Sequence, residues 1–269
     1  MLFDKVLVPV DLGEITADHL ACVGQLKAYG MKETVVLYVT PDDVKSVYDE
    51  SKLESLVKPL RDQGLNVKSM IETGKAANAI LGIAKKENAT LIVMASSGKT
   101  KAKELMVGSV SLDVVRHTHI PVLIGKFAQG EPVVCHMLLE RVLVSLDLGP
   151  GTKKVMNVFK EMDLAGCKKA VLFHVVPSNK FSVEDDAKFQ EVKKDLSRWK
   201  DSHDGSASVD THLHYGTAAY NIMEAAREFD VTLIVMGNVG KGLFHSMTLG
   251  SVSDEVMRKS SAHVLIIPI

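Results

Sequence analysis

Residues 232–253 read TLIVMGNVGKGLFHSMTLGSVS, and residues 90–111 read TLIVMASSGKTKAKELMVGSVS. The chain therefore carries one motif twice, an apolar run followed by a glycine-spaced loop that ends in GSVS. In the second copy the spacing is Gly237, two residues, Gly240, nine residues, Gly250 and Ser251. In the first copy Ala95 stands at the opening position, and Gly98, Gly108 and Ser109 keep the rest of the spacing. A strand that runs into such a loop and then a helix presents backbone N–H groups to phosphate.

The repeat extends outward from this motif over both halves. VLVPVDLG at 6–13 matches VLVSLDLG at 142–149, so Asp11 pairs with Asp147 at an offset of 136, which still holds where VLYVTP (36–41) faces LFHVVP (172–177). From TGKAANAI (73–80) against YGTAAYNI (215–222) the offset is 142, and it stays there through Gly108 and Gly250. The six extra residues lie between Pro177 and Gly216. Repeats of this length are whole domains, not solenoid units of about 20–50 residues. The expected division is a first domain over 1–127, a linker over 128–138 and a second domain over 139–269.

Each half alternates strand and helix. In the first, strands are expected at 3–10, 33–40, 66–71, 90–95 and 120–126, with helices at 14–29, 43–63, 75–88 and 109–118. The strands are continuous apolar runs, which implies burial on both faces and a parallel sheet. Pro59 is expected to kink or end its helix. In the long helix over 182–203, Phe189, Val192, Leu196 and Trp199 recur at three- and four-residue steps as a core-facing stripe, with a lid over a ligand as the rival reading.

Composition excludes several classes. Apolar residues make up 46%, aromatics 5%, and the formal charge is −1. That balance exerts no long-range pull on nucleic acid or anionic lipid. The apolar runs are far shorter than the roughly 20 residues of a membrane span, and the first residues lack the pattern of a signal peptide. Cys22, Cys135 and Cys167 are widely spaced and read as reduced thiols. The expectation is a cytoplasmic protein with neither nucleic acid nor membrane as partner.

In open parallel sheets, ligands settle beyond the carboxyl ends of the strands, where strand order reverses. Asp11 and Asp147 close the first strand of each half, and the glycine loop follows the fourth. A carboxylate there can accept hydrogen bonds from ribose hydroxyls while loop amides hold phosphate. Glycine removes the Cβ that would keep an oxygen from the backbone. Ser109 and Ser251 supply hydroxyl donors or plain N-caps, and the glycine–serine elements by themselves fit a phosphate site or a structural turn. Gly98-Lys99-Thr100 lacks the glycine five residues earlier that a Walker loop requires, and Gly237, Gly240 and Gly242 do not follow the dinucleotide-binding spacing.

The chain resembles a tandem universal stress protein over essentially its whole length. That resemblance implies two Rossmann- or flavodoxin-like α/β domains, each a five-stranded parallel sheet flanked by helices. It also implies an intramolecular pseudo-dimer, with strands 122–125 and 264–267 facing across the two-fold, and leaves open a further homodimer. Nucleotide-binding members of the family carry G-x2-G-x9-G-(S/T), an Asp after the first strand, and a hydrophobic residue near the end of the second whose backbone meets adenine. The nucleotide contacts then fall on Asp147, Val175, Gly237, Gly240, Gly250, Ser251, Val252 and Ser253. Their first-half counterparts are Asp11, Val39, Gly98, Gly108, Ser109, Val110 and Ser111. The implied ligand is ATP or AMP, with Mg as a companion of ATP, and the implied role is that of a nucleotide-dependent regulator or sensor in stress response.

Ala95 departs from the glycine pattern, which makes the second site the expected tighter one. Lys99 and Lys241 correspond and are either phosphate-neutralising or solvated. His245 sits in the second loop, but its counterpart is Lys103, so no general base is duplicated. The pairs His117/His119 and His212/His214 lack a third metal ligand. Catalytic and metal-binding residues are therefore not assigned. The competing readings are a slow ATPase or phosphotransferase, and an adaptor with a vestigial nucleotide site.

Overall fold

A computed structural model describes residues 1–13, 16–40, 47–96, 107–126, 137–177, 183–240 and 249–269, with backbone alone for 47–48 and 183–188. Gly98, Lys99, Lys103, Lys241, His245 and most of the 128–138 linker lie outside the described residues. The chain divides into two compact units, Met1–His136 and Met137–Ile269.

In the first unit the elements run β1 (Lys5–Val10), α1 (Thr16–Gln25), β2 (Glu33–Thr40), α2 (Val47–Asp62), β3 (Val67–Thr73), α3 (Ala76–Lys86), β4 (Leu91–Ala95), α4 (Ser109–His117) and β5 (Val122–Gly125). All strand pairs are parallel, in the order β3-β2-β1-β4-β5. The second unit repeats the series as β6 (Arg141–Ser145), α5 (Thr152–Leu164), β7 (Lys169–Val176), α6 (Val183–Asp201), β8 (Ser208–Tyr215), α7 (Ala218–Glu228), β9 (Leu233–Gly237), α8 (Ser251–Lys259) and β10 (His263–Ile267). Its parallel order is β8-β7-β6-β9-β10.

Both central strands are apolar because both faces are covered. Val6, Leu7 and Val8 of β1, and Val142, Leu143 and Val144 of β6, are buried. Right-handed crossovers carry the chain outward from β1 through α1 and α2, then back across the sheet for β4. This puts α1 with α2 on one face and α3 with α4 on the other, as their mutual packing requires.

The repeat reaches into backbone strain. Leu12 and Leu148 both take the left-handed region at φ 56° and 54°, as do Asn88 and Asp230 at 53° and 49°. A left-handed leucine costs on the order of 1–2 kcal/mol, so its recurrence at one offset marks a feature of the fold.

Three details differ from the sequence reading. The first helix stops at Gln25 and continues as a 3-10 turn over Leu26–Tyr29, closed by Gly30 at φ 91°. The second runs through Pro59 to Asp62 and ends on Gly64 at φ 75°, where the Leu65 N–H donates to the Leu60 carbonyl at 3.1 Å. Cys22 is disulfide-bonded, whereas a reduced thiol was expected. Cys167 is free and buried, and desolvation followed by the Asp163 charge pushes its thiol up to about 12. No helix among the described residues is long and apolar enough to cross a membrane.

Candidate functional site

The switch in strand order falls between β1 and β4 in the first unit, and between β6 and β9 in the second. From β6 the chain leaves toward β7, and from β9 it leaves toward β10. The two exit loops therefore diverge and open a crevice over the carboxyl edge. In the second unit this crevice is a cavity of about 510 Å³. It brings together the expected nucleotide contacts of that half: Asp147, Val175, Gly237, Gly240, Gly250, Ser251, Val252 and Ser253.

The lining changes character along the edge. On the β7 side it is mostly apolar, with Val175, Pro177, Val192 of α6, and Ala218 and Ile222 of α7 beside the imidazole of His174. Asp147 stands in the middle, beyond β6. The β9 side is the glycine loop and the first turn of α8. Among the described lining residues, Asp147 is the one Asp, Glu, Lys or Arg.

Helix α8 begins with Gly250 as N-cap, at φ −64° and ψ 145°, and no side chain caps it. Ser251 is thus the first helical residue and not the cap, and the same holds for Ser109 behind Gly108 at α4. An uncapped helix start leaves N–H donors available to an anion, with the positive end of the helix dipole behind them. The Ser253 hydroxyl is committed elsewhere: it donates to the Gly237 carbonyl at 2.8 Å and ties the helix start to the end of β9.

Gly250 sits in a tight place. A Cβ there would meet the Asn238 carbonyl oxygen at 3.3 Å and the Val239 Cα at 3.4 Å. At Gly237 a Cβ would meet Ile269 Cγ1 at 2.9 Å and the Val239 carbonyl oxygen at 3.2 Å. That is the position where the first half has Ala95.

Asp147 is held from below. Its Oδ1 accepts from the Gly149 N–H at 2.9 Å and from the Thr152 hydroxyl at 3.2 Å. Asp11 has the same arrangement, with Gly13 N–H at 2.9 Å and the Thr16 hydroxyl at 3.2 Å. Neither threonine was singled out by sequence, although both lie five residues beyond their aspartate and share its offset.

The other first-unit residues occupy equivalent places. Val39 is the penultimate residue of β2, Gly108 caps α4, and Ser109, Val110 and Ser111 form its first turn. Gly98 lies outside the described residues. His174, also missed by sequence, lines the second cavity and is hydrogen-bonded through Nδ1 to the Leu146 carbonyl at 2.6 Å. His212 and His214 are in packing contacts: His212 lies against Phe229 and His214 against Phe173, with ring centroids 4.6 and 4.9 Å apart.

The helical stripe of α6 divides its work. Leu196 is buried, Phe189 stacks on Tyr215 at 4.8 Å, and Val192 reaches the cavity. The core-facing reading holds for the first two, and Val192 adds a wall to the site.

The universal stress protein family model matches residues 2–126 and again 139–268. A universal stress protein of Methanocaldococcus jannaschii is 29% identical over 156 residues, covering 47% of this chain and 96% of the relative. A second from that organism is 34% identical over 146 residues, covering 48% and 86%. One from Mycolicibacterium smegmatis is 22% identical over 213 residues, covering 76% and 69%. Among solved structures, a universal stress protein from Archaeoglobus fulgidus superposes with a TM-score of 0.72 at 23% identity, over 100% of this chain and 99% of that one. With a match in each half, the chain belongs to the universal stress protein family.

Proposed function

We propose that this chain binds an adenine nucleotide, ATP or AMP, and acts in the cytoplasm as a nucleotide-dependent regulator or sensor in stress response. The observation that carries this reading is the order of groups along the carboxyl edge of the second unit. An apolar slot beside Val175, a carboxylate at Asp147 and an uncapped helix start behind Gly250 follow one another as base, ribose and phosphate do in a nucleotide. Each group suits its part: apolar walls for a ring, a carboxylate for hydroxyl donors, N–H groups for phosphate oxygens. Asp11, Val39, Gly108 and Ser109 support a counterpart site in the first unit.

Among the described residues no group of three His, Cys, Asp or Glu side chains could hold a metal. Mg is expected to reach the site on the phosphates of ATP. Hydrolysis is expected to be slow, since ATP cleavage needs an oriented water and charge-stabilising groups.

Calorimetry with ATP, AMP and GTP tests the proposal, together with single-turnover incubation with labelled ATP. Preferential binding of ATP or AMP, with nucleotide returned intact, is the expected result. Equal affinity for GTP removes the adenine assignment. Rapid conversion of ATP moves the protein to the phosphotransferase or ATPase class, and no binding at all leaves an adaptor with a vestigial site.

A further inference from the structure

The exit turn of the central strand is built twice with a precision that core packing does not require. In both units the turn is Asp-Leu-Gly with the leucine left-handed, at φ 56° for Leu12 and 54° for Leu148. Each aspartate accepts through Oδ1 from the N–H two residues on, and from the hydroxyl of a threonine that opens the following helix. Both threonines are buried, at 4% and 3% exposure, and each helix start is closed by a further bond from the threonine N–H to the glycine carbonyl, at 3.2 and 3.1 Å.

The consequence is directional. With both bonds to Asp147 falling on Oδ1, the carboxylate plane is fixed and Oδ2 is turned toward the glycine loop. A Cβ on Gly240 would meet Oδ2 at 3.9 Å. Close packing of the carboxylate against the turn is visible in the first unit as well, where a Cβ on Gly13 would meet Asp11 Oδ1 at 2.9 Å. A left-handed leucine is strained, and such strain persists where surrounding bonds over-determine it.

We propose that Thr152 is a positioning residue, which locks the carboxylate of Asp147 so that Oδ2 is presented to the 2′- and 3′-hydroxyls of a ribonucleoside phosphate, and that Thr16 holds the Asp11 carboxylate in the same manner. This rests on the nucleotide reading above and adds to it a preference for ribose over sugars without those hydroxyls. The preorganised carboxylate accepts hydrogen bonds from the hydroxyls without first giving up rotamer freedom.

The experiment compares the full chain with the double variants Thr16→Val/Thr152→Val and Thr16→Ser/Thr152→Ser, titrated calorimetrically with ATP and with 2′,3′-dideoxy-ATP. Changing both threonines avoids any need to resolve the two units. Valine keeps the volume and removes the hydroxyl, and serine restores it. The valine pair is expected to lose about tenfold in affinity for ATP, the scale of a hydrogen bond to a charged group. It should lose little for the dideoxy nucleotide, and the serine pair should recover most of the loss. Equal losses for both nucleotides, or unchanged ATP affinity, overturn the positioning role. A crystal structure of Thr152→Val gives a readout that needs no nucleotide: Asp147 should swing from its place, and a carboxylate that stays put overturns the proposal directly. Failure of the unaltered chain to bind ATP or AMP overturns the nucleotide reading instead, and the ligand named here falls with it.

Discussion

Lys27 and Asp163, separated by the repeat offset of 136, fasten equivalent loops with opposite polarity. Lys27 Nζ donates to the carbonyls of Gln63 and Gly64, at 3.2 and 3.3 Å, and so holds the loop between α2 and β3. Asp163 accepts from the N–H groups of Ser206 and Ala207, at 3.0 and 2.7 Å, and holds the loop between α6 and β8. The lysine is exposed, while Asp163 is buried at 5% exposure. Removing a buried acceptor strands two backbone donors and the Ser206 hydroxyl, so Asp163→Ala should cost about 3 kcal/mol, whereas Lys27→Ala should cost under about 1 kcal/mol. Gly205→Ala should be at least as damaging as Asp163→Ala, because its Cβ would fall 1.4 Å from Asp163 Oδ2. Urea unfolding followed by circular dichroism ranks the three, and equal costs for Lys27→Ala and Asp163→Ala would contradict the assignment.

The two ends of the second glycine loop are joined where the Gly250 N–H donates to the Asn238 carbonyl at 2.8 Å. A branched side chain at Gly250 meets that carbonyl and the Val239 Cα, so the loop must open or the helix start must shift. Gly250→Val should raise the dissociation constant of the second site by on the order of 100-fold. Gly108→Val should affect a weaker class of sites. Calorimetric titration of both variants checks the ranking, which is reversed if Gly108→Val removes the tighter class.

Ala95 offers a matched pair of substitutions. At the equivalent Gly237, a methyl would press on the Val239 carbonyl at 3.2 Å and on Ile269, whose side chain can move. Gly237→Ala should therefore weaken the second site by about three- to tenfold, a modest overpacking cost, and Ala95→Gly should strengthen the first. If neither affinity changes, the methyl is absorbed by the loop, and the difference between the halves lies elsewhere.

Much of this is legible in the amino-acid sequence. The letter-for-letter repeat of TLIVM and the continuous apolar strands imply two parallel sheets, because a strand covered on both faces has no polar side to alternate. The glycine spacing and the two aspartates point to the carboxyl edge for the same reason that strand order does. What escaped has physical causes too. Val192, Ala218 and Ile222 look like ordinary core positions, since a helix stripe that walls a cavity has the same period as one that fills a core. Ser251 reads as an N-cap by type, yet Gly250 takes that place because a Cβ would strike the loop it closes. The threonines at 16 and 152 left a signal, their shared offset, but a hydroxyl acting through an aspartate is not recognisable from residue type alone.

His19 stands in the first unit where Val155, a cavity residue, stands in the second. It is buried at 2% exposure, and desolvation lowers its pKa from 6.5 to about 4, with the Asp11 charge opposing the shift. The folded chain therefore keeps this imidazole neutral at pH values where the unfolded chain binds a proton. Between pH 6.5 and 4 the unfolded state holds more protons, so stability rises with pH across that window and is lost as the solution is acidified. By pH 5 the loss from this group should approach about 2 kcal/mol. His19→Val, which copies the second half, should remove that part of the slope while leaving the remaining acid dependence in place. Urea midpoints of the unaltered chain and the variant, measured at pH 7.5 and pH 5, give the comparison. Parallel losses in the two proteins would show that His19 takes up its proton in the folded state, and that the burial argued for it is relieved in solution.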